Sequence, residues 1–206
     1  MPELPEVETV RRGLIPKLVG RRIVRLQQRR RDLRVPMPAR FAERVEGRTV
    51  RAIDRRAKYL LIRLDDGQTL ICHLGMSGRM VLHDSRSAAG HPLDKHDHVV
   101  IDTDEGWQIR FNDARRFGLM LLVADEAVAG HKLFRGLGPE PLEPAFTPAV
   151  LAAALERSGR GIKAALLDQT VVAGIGNIYA DEALFRAAIH PERPCRTLKP
   201  AAVRRL

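Results

Sequence analysis

The sequence predicts an α+β fold in which a β-rich N-terminal part is followed by a smaller helical part. Three observations carry this reading. Two Asp-Gly-type turn signals, Asp65-Asp66-Gly67-Gln68 and Asp104-Glu105-Gly106, each stand between runs of alternating or apolar strand formers. From Asp125 the spacing of apolar residues becomes helical. Between the two regimes, residues 136–148 carry four prolines, as an interdomain connection does. Strands first and helices after exclude an alternating parallel α/β architecture. The expected boundary separates residues 1–135 from residues 136–206.

Taken in order, the chain opens with a helix predicted from Pro5 to about Gly13. Proline suits a first helical turn, and Val7, Val10 and Leu14 recur on one face. Residues 22–28 and 49–55 read as strands, separated by a stretch broken at Pro36 and Pro38. Residues 59–64 and 69–72 form the first hairpin and residues 79–82 a further strand. Small residues with glycine and proline lead to the expectation of a mobile surface loop at residues 85–92. Residues 99–103 and 107–112 form the second hairpin, and residues 119–123 close the β-rich part. In the helical part, Thr147 is expected to cap a helix through about Arg157. Residues 162–167 begin another, Gly174-Ile175-Gly176 interrupts it, Asn177 is expected to cap a third, and Thr197 to start a last one.

Composition narrows the partner. Lys and Arg number 35 against 25 Asp and Glu, a formal net charge of +10, and arginines cluster at Arg29 to Arg31, Arg55-Arg56, Arg115-Arg116 and Arg204-Arg205. A polyanion is implied. No apolar run approaches the roughly 20 residues of a membrane span, and no basic amphipathic helix with aromatic anchors offers a membrane surface. Nucleic acid is the favoured partner and the cytoplasm the expected location, since no signal-peptide pattern opens the chain. Cys72 and Cys195 are each isolated, which gives neither a disulfide framework nor a zinc pattern.

The most distinctive chemistry lies in Met1-Pro2-Glu3-Leu4-Pro5-Glu6-Val7-Glu8. Removal of Met1, which the small Pro2 permits, would expose a secondary amine able to form a Schiff base with an aldehydic carbon. Glu3 and Glu6 stand beside it. The positive end of the helix favours the neutral amine and an ionised Glu3 the charged one, and the sequence does not rank the two. Read blandly, this is a charged helix start.

Elsewhere, Lys58 in Arg55-Arg56-Ala57-Lys58-Tyr59 stands at a strand start, where it can be held near an apolar edge or simply be solvated. His73-Leu74-Gly75-Met76-Ser77-Gly78 and Asn112-Asp113-Ala114-Arg115-Arg116-Phe117-Gly118 place Met76, Arg115 and Phe117 on two tight loops. There they act either as inward anchors or as wedges that fill the gap left by an extruded nucleotide. In Lys95-His96-Asp97-His98 two histidines share a strand face, but no third ligand with convincing spacing accompanies them, so no metal site is expected. Gly174-Ile175-Gly176-Asn177 is not a dinucleotide fingerprint, because Tyr179 takes the third glycine's place. A glycine turn feeding a helix still makes a phosphate cradle.

These strings, with Ile162-Lys163-Ala164-Ala165-Leu166-Leu167-Asp168-Gln169 and Gly176-Asn177-Ile178-Tyr179-Ala180, stand in the order seen in bacterial formamidopyrimidine-DNA glycosylases, and the chain resembles that family over nearly its whole length. The resemblance implies an N-terminal helix with a two-layer antiparallel β-sandwich, followed by a helical helix-two-turns-helix domain. It implies a bifunctional DNA glycosylase and lyase that removes oxidised purines such as 8-oxoguanine from double-stranded DNA, also cleaves abasic sites, and works as a monomer. It carries catalytic roles to Pro2, Glu3, Glu6 and Lys58, and DNA contacts to His96, Arg115, Lys163 and Asn177. Arg160 is the nearest candidate for a basic contact that relatives place just before the helical element. Met76, Arg115 and Phe117 become the void-filling residues. Two rivals are an endonuclease VIII-like preference for oxidised pyrimidines, disfavoured by Leu4 and by the Met76 string, and a non-catalytic DNA-binding protein on the same scaffold. Members of the family continue into a loop and a four-cysteine zinc finger. With the sequence stopping at Leu206, the expectation is a chain without structural zinc, longer in its natural form, that keeps lyase activity on abasic sites but excises 8-oxoguanine poorly.

Overall fold

The computed structural model describes residues 2–86 and 91–206, so part of the expected loop at 85–92 lies outside the described residues. The chain divides into two compact units, Met1–Gly130 and His131–Leu206.

The first unit opens with helix α1 (Leu4–Leu18), five residues longer than the expected end at Gly13. Leu14 and Leu18 continue the buried stripe begun by Leu4 and Val7, and this burial carries the helix through Pro16. Pro16 removes one backbone bond, but it lies on the exposed face, where water can satisfy the freed carbonyl. Among the described residues, eight strands follow in two antiparallel four-stranded sheets. One has the order β1 (Ile23–Gln28), β6 (Asp97–Thr103), β7 (Trp107–Asn112), β5 (Arg79–Asp84). The other has the order β2 (Val50–Arg56), β3 (Tyr59–Leu64), β4 (Gln68–His73), β8 (Leu119–Ala124). Leu26, Ile101 and Ile109 from the first sheet join Leu60, Leu70 and Met120 from the second in one core, which also takes in the apolar face of α1.

Both expected hairpins form, and at Gly67 the tight turn needs a positive φ of 76°, which glycine adopts without a side-chain clash. A third, unforeseen tight turn joins β2 to β3. Arg56 pairs with Tyr59, so Ala57 and Lys58 form the connection, with Ala57 in the left-handed region at φ 51°. Lys58 therefore sits in a turn before β3. The proline-broken stretch after β1 contains the short helix α2 (Phe41–Val45), which buries Phe41 and Val45 one turn apart. A further short helix, α3 (Asp125–Val128), follows β8.

In the second unit the proline-rich stretch is tied down. Gly138 N–H donates to Gln169 O at 2.8 Å and Ala173 N–H to Pro139 O at 2.9 Å. Thr147 caps α4 (Pro148–Leu155), its hydroxyl accepting from Val150 N–H, and the helix ends two residues before Arg157. Helix α5 (Ile162–Leu167) follows as expected. Helix α6 (Asn177–Ala187) corrects one expectation: Gly176 occupies the cap position and Asn177 is the first helical residue. Thr197 likewise ends a short 3-10 turn, and α7 (Pro200–Arg205) starts three residues later behind Lys199. Leu151, Leu155, Ile162, Leu166, Leu184 and Val203 form this unit's core.

Candidate functional site

At the start of α1, Glu3 is the N-cap and is only 2 % exposed, beside a half-buried Pro2. Glu3 and Glu6 form a reciprocal capping box, in which Glu6 Oε2 accepts from Glu3 N–H at 2.9 Å. Glu6 is thus hydrogen-bonded to the backbone at Glu3, next to Pro2. Leu4 and Val7 are buried behind this corner and fix its position.

Lys58 lies 7 % exposed in the β2–β3 turn. Burial lowers its pKa, against the charge of Glu3, which raises it. Two of the expected site residues are thereby electrostatically coupled.

A contact that the sequence reading passed over is Glu8. It accepts from Arg11 at 2.8 Å, from Arg12 at 2.9 Å and from Arg55 of β2 at 3.2 Å. Arg11 also donates to Ile53 O at 3.1 Å. Helix α1 is thus fastened to the strand that leads into the Lys58 turn. The Arg11 and Arg12 spacings from Glu8 are visible in the sequence; the Arg55 contact, 47 residues away, is not.

Next along the sheet, His73 is paired with Tyr59 across β3 and β4, with ring centroids 4.7 Å apart. Burial, then the charges of Arg34 and Lys58, push its pKa down to about 4. Its Nδ1 accepts from Gly75 N–H at 3.0 Å, which anchors the loop that carries Met76.

Met76 and Phe117 are 44 % and 43 % exposed, so neither is an inward anchor. The Arg115 guanidinium carbon lies 4.7 Å from the Phe117 ring centroid, a cation–π contact that groups the two side chains. His96 is half-buried, its ring 6.3 Å from that of the buried His98.

In the second unit Arg160 pairs with Asp168 at 2.8 Å and Lys163 with Asp181 at 2.7 Å. Asn177 is exposed at the first position of α6. Gln169, also overlooked in the sequence, shapes the preceding glycine turn. Its amide donates to Leu167 O and Ile175 O and accepts from Gly174 N–H, all within 3.0 Å.

Residues 1–120 match the formamidopyrimidine-DNA glycosylase N-terminal domain, and residues 137–206 match the formamidopyrimidine-DNA glycosylase H2TH domain. The chain belongs to the formamidopyrimidine-DNA glycosylase family. A formamidopyrimidine-DNA glycosylase of Cereibacter sphaeroides is 54% identical over 205 residues, covering 98% of this chain and 72% of the relative. One from Beijerinckia indica is 52% identical over 201 residues, covering 96% and 70%. The Lactococcus lactis enzyme, solved non-covalently bound to DNA containing an AP site, superposes with a TM-score of 0.88 at 36% identity, over 98% of this chain and 76% of that one. The same enzyme with DNA containing N7-benzyl-Fapy-dG gives 0.89 at 36% identity, over 99% and 74%. The chain is accordingly an enzyme of base excision repair, a DNA glycosylase with AP lyase activity.

Among the described residues no helix is long and apolar enough to cross a membrane, and no group of three or more His, Cys, Asp or Glu side chains could hold a metal ion. Cys72 and Cys195 are buried singly in the cores of different units, and burial pushes the Cys72 thiol up to about 12. Among the described residues neither cysteine stands in a cluster that could hold a structural zinc.

Proposed function

We propose that the chain excises oxidised purines from double-stranded DNA, and cleaves the resulting abasic sites, through a Schiff base on Pro2. Once Met1 is removed, the Pro2 nitrogen bonds to the sugar C1′ as the bond to the base breaks, and the base leaves with a proton. Glu3 manages protons at the ring oxygen as the sugar opens to an iminium. Loss of the C2′ proton then breaks the C3′–O bond, a second elimination breaks the C5′–O bond, and water frees Pro2, leaving a one-nucleotide gap. Lys58 contacts phosphate or base and carries protons during elimination, while Glu6 orients the corner. His96, Arg160, Lys163 and Asn177 contact the DNA, and Met76, Arg115 and Phe117 occupy the space vacated by the extruded nucleotide.

One observation supports the reading: Glu3, next to Pro2 in the chain, and Lys58 in the β2–β3 turn are both buried, and the charge of Glu3 raises the Lys58 pKa against the lowering by burial. Desolvation favours the neutral form of Lys58, which is the form that can take up a proton. Lys58 is itself the competing nucleophile. Borohydride reduction during reaction with an 8-oxoguanine duplex, followed by peptide mapping of the adduct, separates the two. A linkage at Pro2 is expected, and one at Lys58 would overturn the assignment. One uncleaved residue added before Pro2 should abolish trapping and leave DNA binding, because it converts the amine into an amide.

A further inference from the structure

We infer that Asp113 and Ser77 form a positioning clasp that holds three DNA-facing loops in one arrangement, so that Met76, Arg115 and Phe117 act as a single preset wedge. This rests on the void-filling reading above and extends it to residues that touch no substrate. Asp113 is fully buried, with 0 % exposure, yet each of its polar groups is engaged. Carboxylate Oδ1 accepts from the Ser77 hydroxyl at 2.5 Å and Oδ2 from Gly118 N–H at 2.8 Å. Its own N–H donates to His96 O at 3.0 Å, and its carbonyl accepts from His98 Nε2–H at 2.7 Å. Ser77 completes the link, since its oxygen accepts from Arg115 N–H at 3.0 Å while its proton goes to Asp113.

One buried residue thereby joins the Met76 loop, the His96 strand end and the Arg115–Phe117 loop. The two wedge loops also abut backbone to backbone. A Cβ on Gly75 would come within 2.3 Å of the Phe117 carbonyl carbon, so only glycine allows this approach, and Gly75 is at φ 65°. A Cβ on Gly118 would meet the Phe111 ring at 2.6 Å. The loop tip itself is held in an unusual conformation, with Arg116 at φ 57°. Exposed loops would otherwise lose conformational freedom when they enter the duplex. The clasp fixes them beforehand, so that less freedom is lost in the step that extrudes the base.

The test compares two single-turnover rates of the full chain: 8-oxoguanine excision from duplex DNA, and cleavage of a pre-formed abasic site in the same duplex, where extrusion is easier because pairing is already absent. Ser77→Ala removes the bridging hydroxyl and should slow duplex excision about tenfold or more, the scale of a small misplacement in a preorganised site. Abasic-site cleavage should stay nearly unchanged, and Ser77→Thr, which restores a hydroxyl, should recover excision. Asp113→Asn, which offers one acceptor oxygen in place of two, should follow Ser77→Ala if it folds. Equal slowing on both substrates, no slowing, or failure of Ser77→Thr to recover excision would overturn the clasp. Met76→Ala and Phe117→Ala serve as the separate control: if they leave the ratio of the two rates unmoved, the void-filling reading itself fails, whereas if they move it and Ser77→Ala does not, only the clasp fails.

Discussion

Arg55 on β2 reaches Glu8 on α1 with its Nε 3.2 Å from the carboxylate, and this bond fastens the N-terminal helix to the strand that precedes Lys58. Arg11 and Arg12 hold the same carboxylate from within the helix. Their hydrogen bonds, Arg11's first, hold the Glu8 carboxyl down at about 2 in the folded chain, against an ordinary value of 4.5.

A depressed carboxylate pKa stabilises the fold above the unfolded value and loses that contribution as pH falls through the folded one. Glu8→Gln is therefore expected to destabilise the chain at pH 7 by about 1–2 kcal/mol, a figure lowered because the group stays partly open to water. The gap from the parent chain should narrow between pH 4.5 and 2. Urea unfolding at pH 7 and at pH 2.5 measures it. A gap of equal size at both pH values would mean that the carboxylate's charge is not what fastens the helix.

His73 behaves in the opposite sense. It is a base whose pKa falls from 6.5 to about 4 on folding, so the unfolded chain binds the proton more readily. Stability is full above pH 6.5 and declines as pH drops toward 4. Because Nδ1 accepts from Gly75 N–H, the neutral ring carries its proton on Nε2, and protonation would set two N–H groups against each other. Nitrogen-detected NMR should show a neutral His73 ring at pH 5.5, and His73→Gln should flatten the stability slope between pH 6.5 and 4. Titration near 6.5 would contradict the burial and the bond.

The sequence made the locally coded parts of this fold legible. Both expected hairpins turn where an Asp-Gly-type signal stands between apolar runs, and Thr147 caps its helix because a hydroxyl three residues before an amide is a local arrangement. The exposure of Met76 and Phe117 was an open choice until tertiary structure put both on the surface. Misreadings came where burial outweighed local preference: Leu14 and Leu18 draw α1 past Gly13 and through Pro16, and Phe41 and Val45 make a helix too short to show a period. Asn177 was expected as a cap because its side chain suits one, but the extended backbone falls at Gly176. The bonds of Glu8 to Arg55 and of Asp113 to Ser77 join residues 47 and 36 positions apart, and no local pattern encodes such pairings.

Lys163, a cation proposed to contact phosphate, is held by the Asp181 carboxylate, with Nζ 2.7 Å from Oδ1 and 2.9 Å from Oδ2. A carboxylate here both neutralises the lysine and repels an approaching phosphate, so it opposes DNA binding on two counts. Asp168 beside Arg160 is a different case. Its pKa is held at about 2 by the hydroxyl and N–H of Thr170 first and by Arg160 after them, so it also builds the turn after α5. Asp181→Asn should therefore tighten binding to a duplex carrying an abasic-site analogue at low salt, whereas Asp168→Asn should weaken it by loosening the turn. If Lys163 then meets a phosphate directly, the slope of log affinity against log salt concentration should steepen by up to about 0.9, the value of one phosphate contact. Adding Lys163→Ala to Asp181→Asn should remove both gains. Anisotropy titrations across a potassium chloride series give affinity and slope together. Weaker binding by Asp181→Asn with an unchanged slope would show that Asp181 positions Lys163 for its contact instead of competing with the DNA for it.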